Sequence, residues 1–195
     1  MLKLQESRLI RRAKRGDGNA IEALIRGHQP ALFAFMLRIS GRPDVAEDMV
    51  QEAFVRVIRN IDRFDNRFRF STWLFTIARR LYVNHMQKLR PASDSDAVGL
   101  AGDLTGEAPG GHSERAESLQ NLRGVIEEAL TFLNPLQREI VLLFHQQSWS
   151  ITEIAAHLDM PEGTVKSHLH RARRRMQRAI TESPVARVRA EESWS

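Results

Sequence analysis

The stretch MPEGTVKSHLHRARRRMQRA, residues 160–179, holds the densest set of side chains able to do chemistry: Lys166, Ser167, His168, His170, Arg171, Arg174 and Arg178. Ammonium and guanidinium groups gathered on one helix bridge phosphates or read guanine edges. A good bidentate base contact gives roughly 1–3 kcal/mol of discrimination. At about 100° per residue, Val165, Leu169, Ala172 and Met176 fall on one narrow side. Ser167, His170, Arg171, Arg174 and Arg178 lie opposite, with Lys166 and His168 on the flanks. A merely solvated helix is the competing account, because arginine is a good helix former. The narrow apolar stripe and the elements before it argue instead for groove binding. A metal site is a poor alternative, since His168 and His170 diverge by about 160° at their spacing and the chain has no cysteine.

The elements that must position this face are legible just upstream. Pro161 suits a first helical turn, and Glu162 suits the positive end of the helix dipole. In SITEIAAHL, Ser150 is placed as an N-cap with Glu153 three residues on, a capping box, and Ile151, Ile154, Ala155 and Leu158 form an inner face. A short helix, a tight turn and a longer basic helix make a helix-turn-helix pattern, whose second helix enters the major groove. NPLQREIVLLF, 134–144, supplies a third wall for a small core.

A second constellation occupies the N-terminal half. In DVAEDMVQEAFVRVIRNI, 44–61, Ala46, Met49, Val50, Ala53, Phe54, Val57 and Ile58 form one broad apolar face. Asp44, Glu47, Asp48, Gln51 and Glu52 gather on the other side, as an acidic and amide patch within a basic region. Such acids either stabilise the helix dipole or meet a partner, and the pattern alone leaves both open. Next, DRFDNRFRFSTWLFTIARRLYVNHMQKLR, 62–90, interleaves Phe64, Phe68 and Phe70 with Arg63, Arg67 and Arg69, and opens a helix bearing Trp73, Phe75, Tyr82, Arg79, Arg80 and Lys88. Aromatics mixed with arginines hold single-stranded nucleic acid, stacking giving roughly 1–3 kcal/mol per base. Phe70, Leu74, Ile77 and Leu81 read as core.

The chain as a whole fits these two constellations. Helical periodicity predicts helices over 5–15, 19–39, 43–61, 71–90, 115–132, 135–146, 151–158 and 161–180, and strand signals are poor. The fold class is therefore all-α, with two small helical domains joined by a flexible acidic linker. The expected division is 1–92, a linker at 93–114, 115–182, and a disordered tail at 183–195. Charge follows it. The chain has 29 Lys and Arg against 24 Asp and Glu, with a net +9 in residues 1–92 and a net −5 in residues 93–119. Positive ends around an acidic middle suit a polyanion partner. The absence of cysteine rules out disulfides and thiolate metal sites. The N-terminus lacks an apolar signal core and ALFAFML, 31–37, is too short to cross a bilayer, so a cytoplasmic protein is expected.

DVAEDMVQEAF, then FSTWLFTIARRL, then the acidic linker, then EIAAHLDMPEGTVKSHLHRARRRM together resemble an extracytoplasmic-function (ECF) member of the bacterial sigma-70 family, from about Arg8 to Ile180. The resemblance implies two helical domains, sigma2 and sigma4, that bind core RNA polymerase through the largest-subunit coiled coil and the flap, and recruit it to promoter DNA. By this similarity Asp48, Gln51 and Glu52 dock on the coiled coil. The loop from Phe64 to Phe70, with Asn66, Arg67, Phe68 and Arg69, captures a flipped −10 base, and Trp73, Arg79, Arg80 and Asn84 lie beside the melting strand. Lys166, Ser167, His168, His170, Arg171 and Arg174 face the −35 element. The acidic linker threads toward the active-site and RNA-exit channels as a nucleic-acid mimic. An anti-sigma factor is a further expected partner. The −10 loop DNRFRF lacks the small, glycine-containing sequence common in the family, and HQQSWS, 145–150, replaces a turn usually richer in Arg and Glu.

The residues assemble no nucleophile–base pair, phosphate-cradling glycine loop or metal cluster, so no enzyme, cofactor, small-molecule substrate or membrane insertion is expected. Two other functions compete. A sigma-like mimic that titrates an anti-sigma factor has no need of the arginine face or the aromatic–arginine loop. A LuxR-type helix-turn-helix regulator shares a helix like TVKSHL but would carry a receiver or ligand-binding domain in place of DVAEDMVQEAF.

Overall fold

The first helix boundaries follow from capping chemistry. In the computed structural model, which describes residues 3–89 and 114–182 and the side chains of 5–88 and 123–182, helix α1 spans Lys3–Ala13. Gly16 then takes a positive φ of 81°, and Asp17 caps the next helix by accepting from the N–H groups of Asn19 and Ala20. Helix α2, Gly18–Ser40, ends where Gly41 adopts the left-handed region and its N–H closes on the Leu37 carbonyl. Pro43 opens α3, Pro43–Arg59, at the position where a missing N–H is harmless. A 3₁₀ turn, Ile61–Arg63, and a loop at 64–69 lead into α4, Phe70–Leu89.

These helices share one core. Leu24, Leu32, Phe35 and Met36 of α2 meet Val45, Met49, Val50, Phe54 and Val57 of α3 and Leu74, Phe75 and Leu81 of α4, all buried. Ala20, Ala46, Ala53 and Ala78 have no exposed surface, so the helices approach closely at those points. The Phe35 and Phe75 rings pack with centroids 5.1 Å apart. The expected face of α3 is buried as read, with Val45 added and Ile58 left half-exposed.

In the C-terminal part, α5 spans Glu114–Thr131 and α6 spans Pro135–Val141, with Asn134 capping α6 through the Gln137 N–H. Arg138 turns back to donate from Nε to the Leu130 carbonyl at 3.0 Å, satisfying one of the open carbonyls at the end of α5. The single helix expected over 135–146 ends in a π turn, Leu142–Gln146. There the Gln147 N–H reaches the Leu142 carbonyl at 3.1 Å, so Leu142 and Leu143 stay buried while Phe144 and His145 turn toward solvent. Helix α7, Ile151–Leu158, starts with the capping box expected of Ser150 and Glu153. Helix α8, Glu162–Glu182, packs on α5, α6 and α7.

The described residues contain no strand. The chain divides into two compact units between Val98 and Gly99. The expected linker 93–114, apart from Glu114 at the start of α5, and the expected tail 183–195 lie outside the described residues. No helix among the described residues is long and apolar enough to cross a membrane.

Loss of the Ser150 cap should destabilise the C-terminal unit alone. Ser150→Ala is expected to cost about 1 kcal/mol, read as a lower urea midpoint for amide hydrogen-exchange protection across α6–α8 with that of α2–α4 unchanged. A midpoint equal to the wild-type value would contradict the account.

Candidate nucleic-acid interface

The basic face of the C-terminal unit is built by the roll of α8. Val165, Leu169 and Ala172 are buried and Met176 is half-buried, as the stripe predicts. Asp159, in the left-handed region at φ 53°, turns the chain between α7 and α8, and both its N–H and that of Met160 donate to the Ala155 carbonyl. Thr152 Oγ1 donates to Glu162 Oε1 at 2.7 Å, fastening the start of α7 to the start of α8. Lys166, Ser167, His170, Arg171, Arg174 and Arg178 are thereby exposed. Gly163, Thr164, Lys166, Ser167, His170 and Arg171 line an open concavity of about 730 Å³.

The arginines of α8 divide into two sets. Arg173 lies over the Phe144 ring, 5.4 Å from its centroid, and 3.4 Å from His145 Nε2. Arg175 donates to buried Gln137 Oε1 at 3.2 Å. These two are held by the π turn and α6. Arg171 and Arg174 are exposed and make no ion pair with the described residues. His168 lies on the flank of the face, as the helical spacing places it. It is half-buried with Nδ1 enclosed, and burial first, then the charge of Arg171, holds its pKa below the ordinary histidine value. Both effects favour the neutral ring, which lies at the edge of the face. Burial and then Arg173 lower His145 in the same way.

In the N-terminal unit, Asp48 and Gln51 are exposed on α3, and Glu52 is half-exposed with its Oε1 accepting from Arg56 Nε at 2.7 Å. Val55, 40 % exposed, continues the same side. On α4, Arg80 and Asn84 are exposed and Arg79 is half-exposed. The end of α4 and α3 enclose a groove of about 500 Å³ that Asn84 shares with Met49, Arg56, Leu81, His85 and Lys88.

The loop at 64–69 needs one correction. Phe64 is buried at 5 % exposure, its ring 5.1 Å from Trp73 and 5.6 Å from Phe70, which removes it from the surface expected to meet a base. The Phe and Arg alternation made all three phenylalanines look alike. Tertiary packing separates them: Phe70 is buried, while Phe68 stands 66 % exposed. Trp73 is half-buried against Phe64 and Phe70. Asn66, Arg67 and Arg69 are exposed. Asp65, which sequence reasoning passed over, accepts from Arg67 Nε at 2.8 Å, from Nη2 at 2.6 Å and from the Arg67 N–H at 2.9 Å. Those bonds order the loop and hold the Asp65 carboxyl below its usual range. Among the described residues no group of three His, Asp or Glu gathers to hold a metal.

A folded helix-turn-helix with a free basic face, joined in one chain to a helical unit bearing an aromatic–arginine loop, is an arrangement found in known proteins. Residues 24–91 match the sigma-70 region 2 family model, and residues 123–176 match the sigma-70 region 4 model. The chain is 31% identical over 176 residues to the ECF RNA polymerase sigma factor SigW of Bacillus subtilis, covering 88% of this chain and 94% of that protein. It is 31% identical over 175 residues to the ECF RNA polymerase sigma-E factor of Escherichia coli K12, covering 87% and 91%. The sigma factor RpoE of Bartonella quintana, solved in complex with the anti-sigma factor NepR, superposes with a TM-score of 0.67 at 31% identity, covering 83% of this chain and 97% of that one. The chain belongs to the sigma-70 family, among its ECF sigma factors.

The different burial of two neighbouring phenylalanines has a measurable consequence. Phe64→Ala should lower the stability of the N-terminal unit by about 3–5 kcal/mol. Phe68→Ala should stay within about 0.5 kcal/mol of wild type. Equal losses in thermal or urea melting would show the loop to be packed differently.

Proposed function

We propose that this chain is a promoter-specificity subunit of RNA polymerase, acting in the cytoplasm through binding and not through catalysis of its own. The observation that carries the reading is the pairing, in one chain, of regions 2 and 4 with two separate exposed contact surfaces. In the N-terminal unit, Asp48, Gln51 and Glu52 dock on the coiled coil of the largest polymerase subunit. Asn66, Arg67, Phe68 and Arg69, with Trp73, Arg79, Arg80 and Asn84, receive the −10 strand, and Phe64 supports them from beneath. Phe68 is the side chain best exposed for stacking.

In the C-terminal unit, α8 enters the major groove of the −35 element. Lys166, Ser167, His170, Arg171 and Arg174 meet bases and phosphates, and the half-buried His168 borders the contact. Acidic residues on α3 and cations on α8 give the two units different partners, the enzyme for one helix and the duplex for the other. The partnership of RpoE with NepR supports an anti-sigma factor as the protein that holds this chain inactive.

Run-off transcription with core enzyme tests the whole reading. The chain should direct specific starts, and a lack of start-site selection would contradict it. Arg171→Ala with Arg174→Ala should remove dependence on the −35 element and flatten the salt dependence of log affinity by about one to two units. An unchanged footprint would show that another face reads the DNA. Asp48→Lys should weaken co-purification with core polymerase while the helical circular dichroism stays as in wild type. Asp48 is the cleaner position because Glu52 also serves Arg56.

A further inference from the structure

Lys14 stands just past the end of α1. A lysine at that place ordinarily serves the open carbonyls of its own helix. This one leaves it. Its ammonium donates to the Phe64 carbonyl at 2.6 Å and to the Asp62 carbonyl at 3.3 Å, 50 and 48 residues further along the chain. Asp62 belongs to the 3₁₀ turn and Phe64 caps it, so both carbonyls sit at the root of the loop that carries Asn66, Phe68 and Arg69. Bonds from a charged donor are shorter and stronger than neutral ones. Lys14 is half-buried, and its bond to the Phe64 carbonyl is partly shielded from salt, while the bond to Asp62 is exposed.

The root is gripped from two sides. Phe70 and Trp73 hold the Phe64 ring, and Lys14 holds the Phe64 carbonyl. From there the order passes outward. The Phe68 N–H donates to the Asp65 carbonyl at 3.1 Å, and the Asp65 carboxylate fixes Arg67. The bonds from Arg67 are the main cause that lowers the Asp65 pKa, and the charge of Lys14 adds a smaller lowering. A loop ordered before it binds keeps affinity that a floppy one loses on ordering.

We propose that Lys14 is a positioning residue for the −10 contact, fixing the path of residues 64–69 from outside so that Asn66, Phe68 and Arg69 meet the strand already in place. Lys14 lies ahead of residues 24–91, which the region 2 model matches, so the proposal extends the −10 apparatus to the helix before it. It rests on the assignment of the 64–69 loop to the −10 strand made above.

The test uses the full chain bound to core polymerase and short single-stranded −10 oligonucleotides that differ in one base. The wild-type chain should prefer one base. Lys14→Met, which keeps the stem and removes the donor, should reduce that preference at least threefold and speed amide hydrogen exchange across 65–69, with core binding unchanged. Lys14→Arg, which keeps a charged donor, should recover much of both. Lys14→Gln, too short to reach the Phe64 carbonyl, gives the same reading should Lys14→Met not fold. A variant that melts earlier yet keeps the wild-type base preference overturns the proposal, as does unchanged exchange in the loop. A wild-type chain with no preference among bases overturns the loop assignment itself.

Discussion

How far α8 is rotated about its own axis decides which of its side chains meet water, and three residues set that rotation. Val165 and Ala172 have no exposed surface and Leu169 has almost none. Shifting the stripe by one residue would turn every side chain by about 100° and carry an arginine toward Ile140 and Leu143, also without exposed surface. An unpaired guanidinium there is strongly destabilising. The stripe therefore excludes other rotations, while the Asp159 turn and the Thr152–Glu162 bond fix where along α7 the helix starts. A basic face free for a ligand is the consequence of a very narrow apolar one.

The same constraint works in the N-terminal unit, where it also sorts the cations. The alanines at 46, 53 and 78 bring α3 and α4 close enough that their polar sides must face outward. Several arginines there are tied to carboxylates within a turn: Arg42 to Asp44, Arg56 to Glu52, Arg67 to Asp65. Such exposed pairs add little to stability, but they fix where a side chain points. An arginine so held must give up a carboxylate before it can meet a phosphate. Arg171 and Arg174 face no such exchange. The difference leaves a pre-shaped loop in one unit and an open cationic surface in the other.

Much of this was legible in the sequence because it is local. A period near 3.6 located the eight α-helices of the described residues, and the capping box at Ser150 marked the start of α7 to the residue. The same period put Arg171 and Arg174 opposite the apolar stripe, where they are exposed; that Arg173 and Arg175 meet Phe144 and Gln137 was not legible. What was not legible depends on distant partners. Phe64 and Phe68 sit in the same Phe-and-Arg pattern, and only the packing of Trp73 and Phe70 makes one core and the other surface. Lys14 bonds to backbone carbonyls about fifty residues away, and a carbonyl carries no signature in the sequence. The π turn at 142–146 hides for a similar reason, since its extra residue is set by how Leu142 and Leu143 pack.

In the proposed reading neither surface need bind tightly. Contacts of this electrostatic kind give non-specific dissociation constants of about 10⁻⁴–10⁻⁶ M at physiological salt. Placing both on one chain makes the second contact intramolecular, so its strength adds to that of the first. Two weak contacts then act as a strong one only where their targets lie at the right separation. Selectivity in such a system comes from requiring both, so tightening either face would let the chain settle on half a signal. In that reading it fits that, of the five arginines between 171 and 178, Arg173 and Arg175 contact Phe144 and Gln137 of their own unit. An α8 with all five free would hold any duplex, and the loop at 64–69 would have little left to decide.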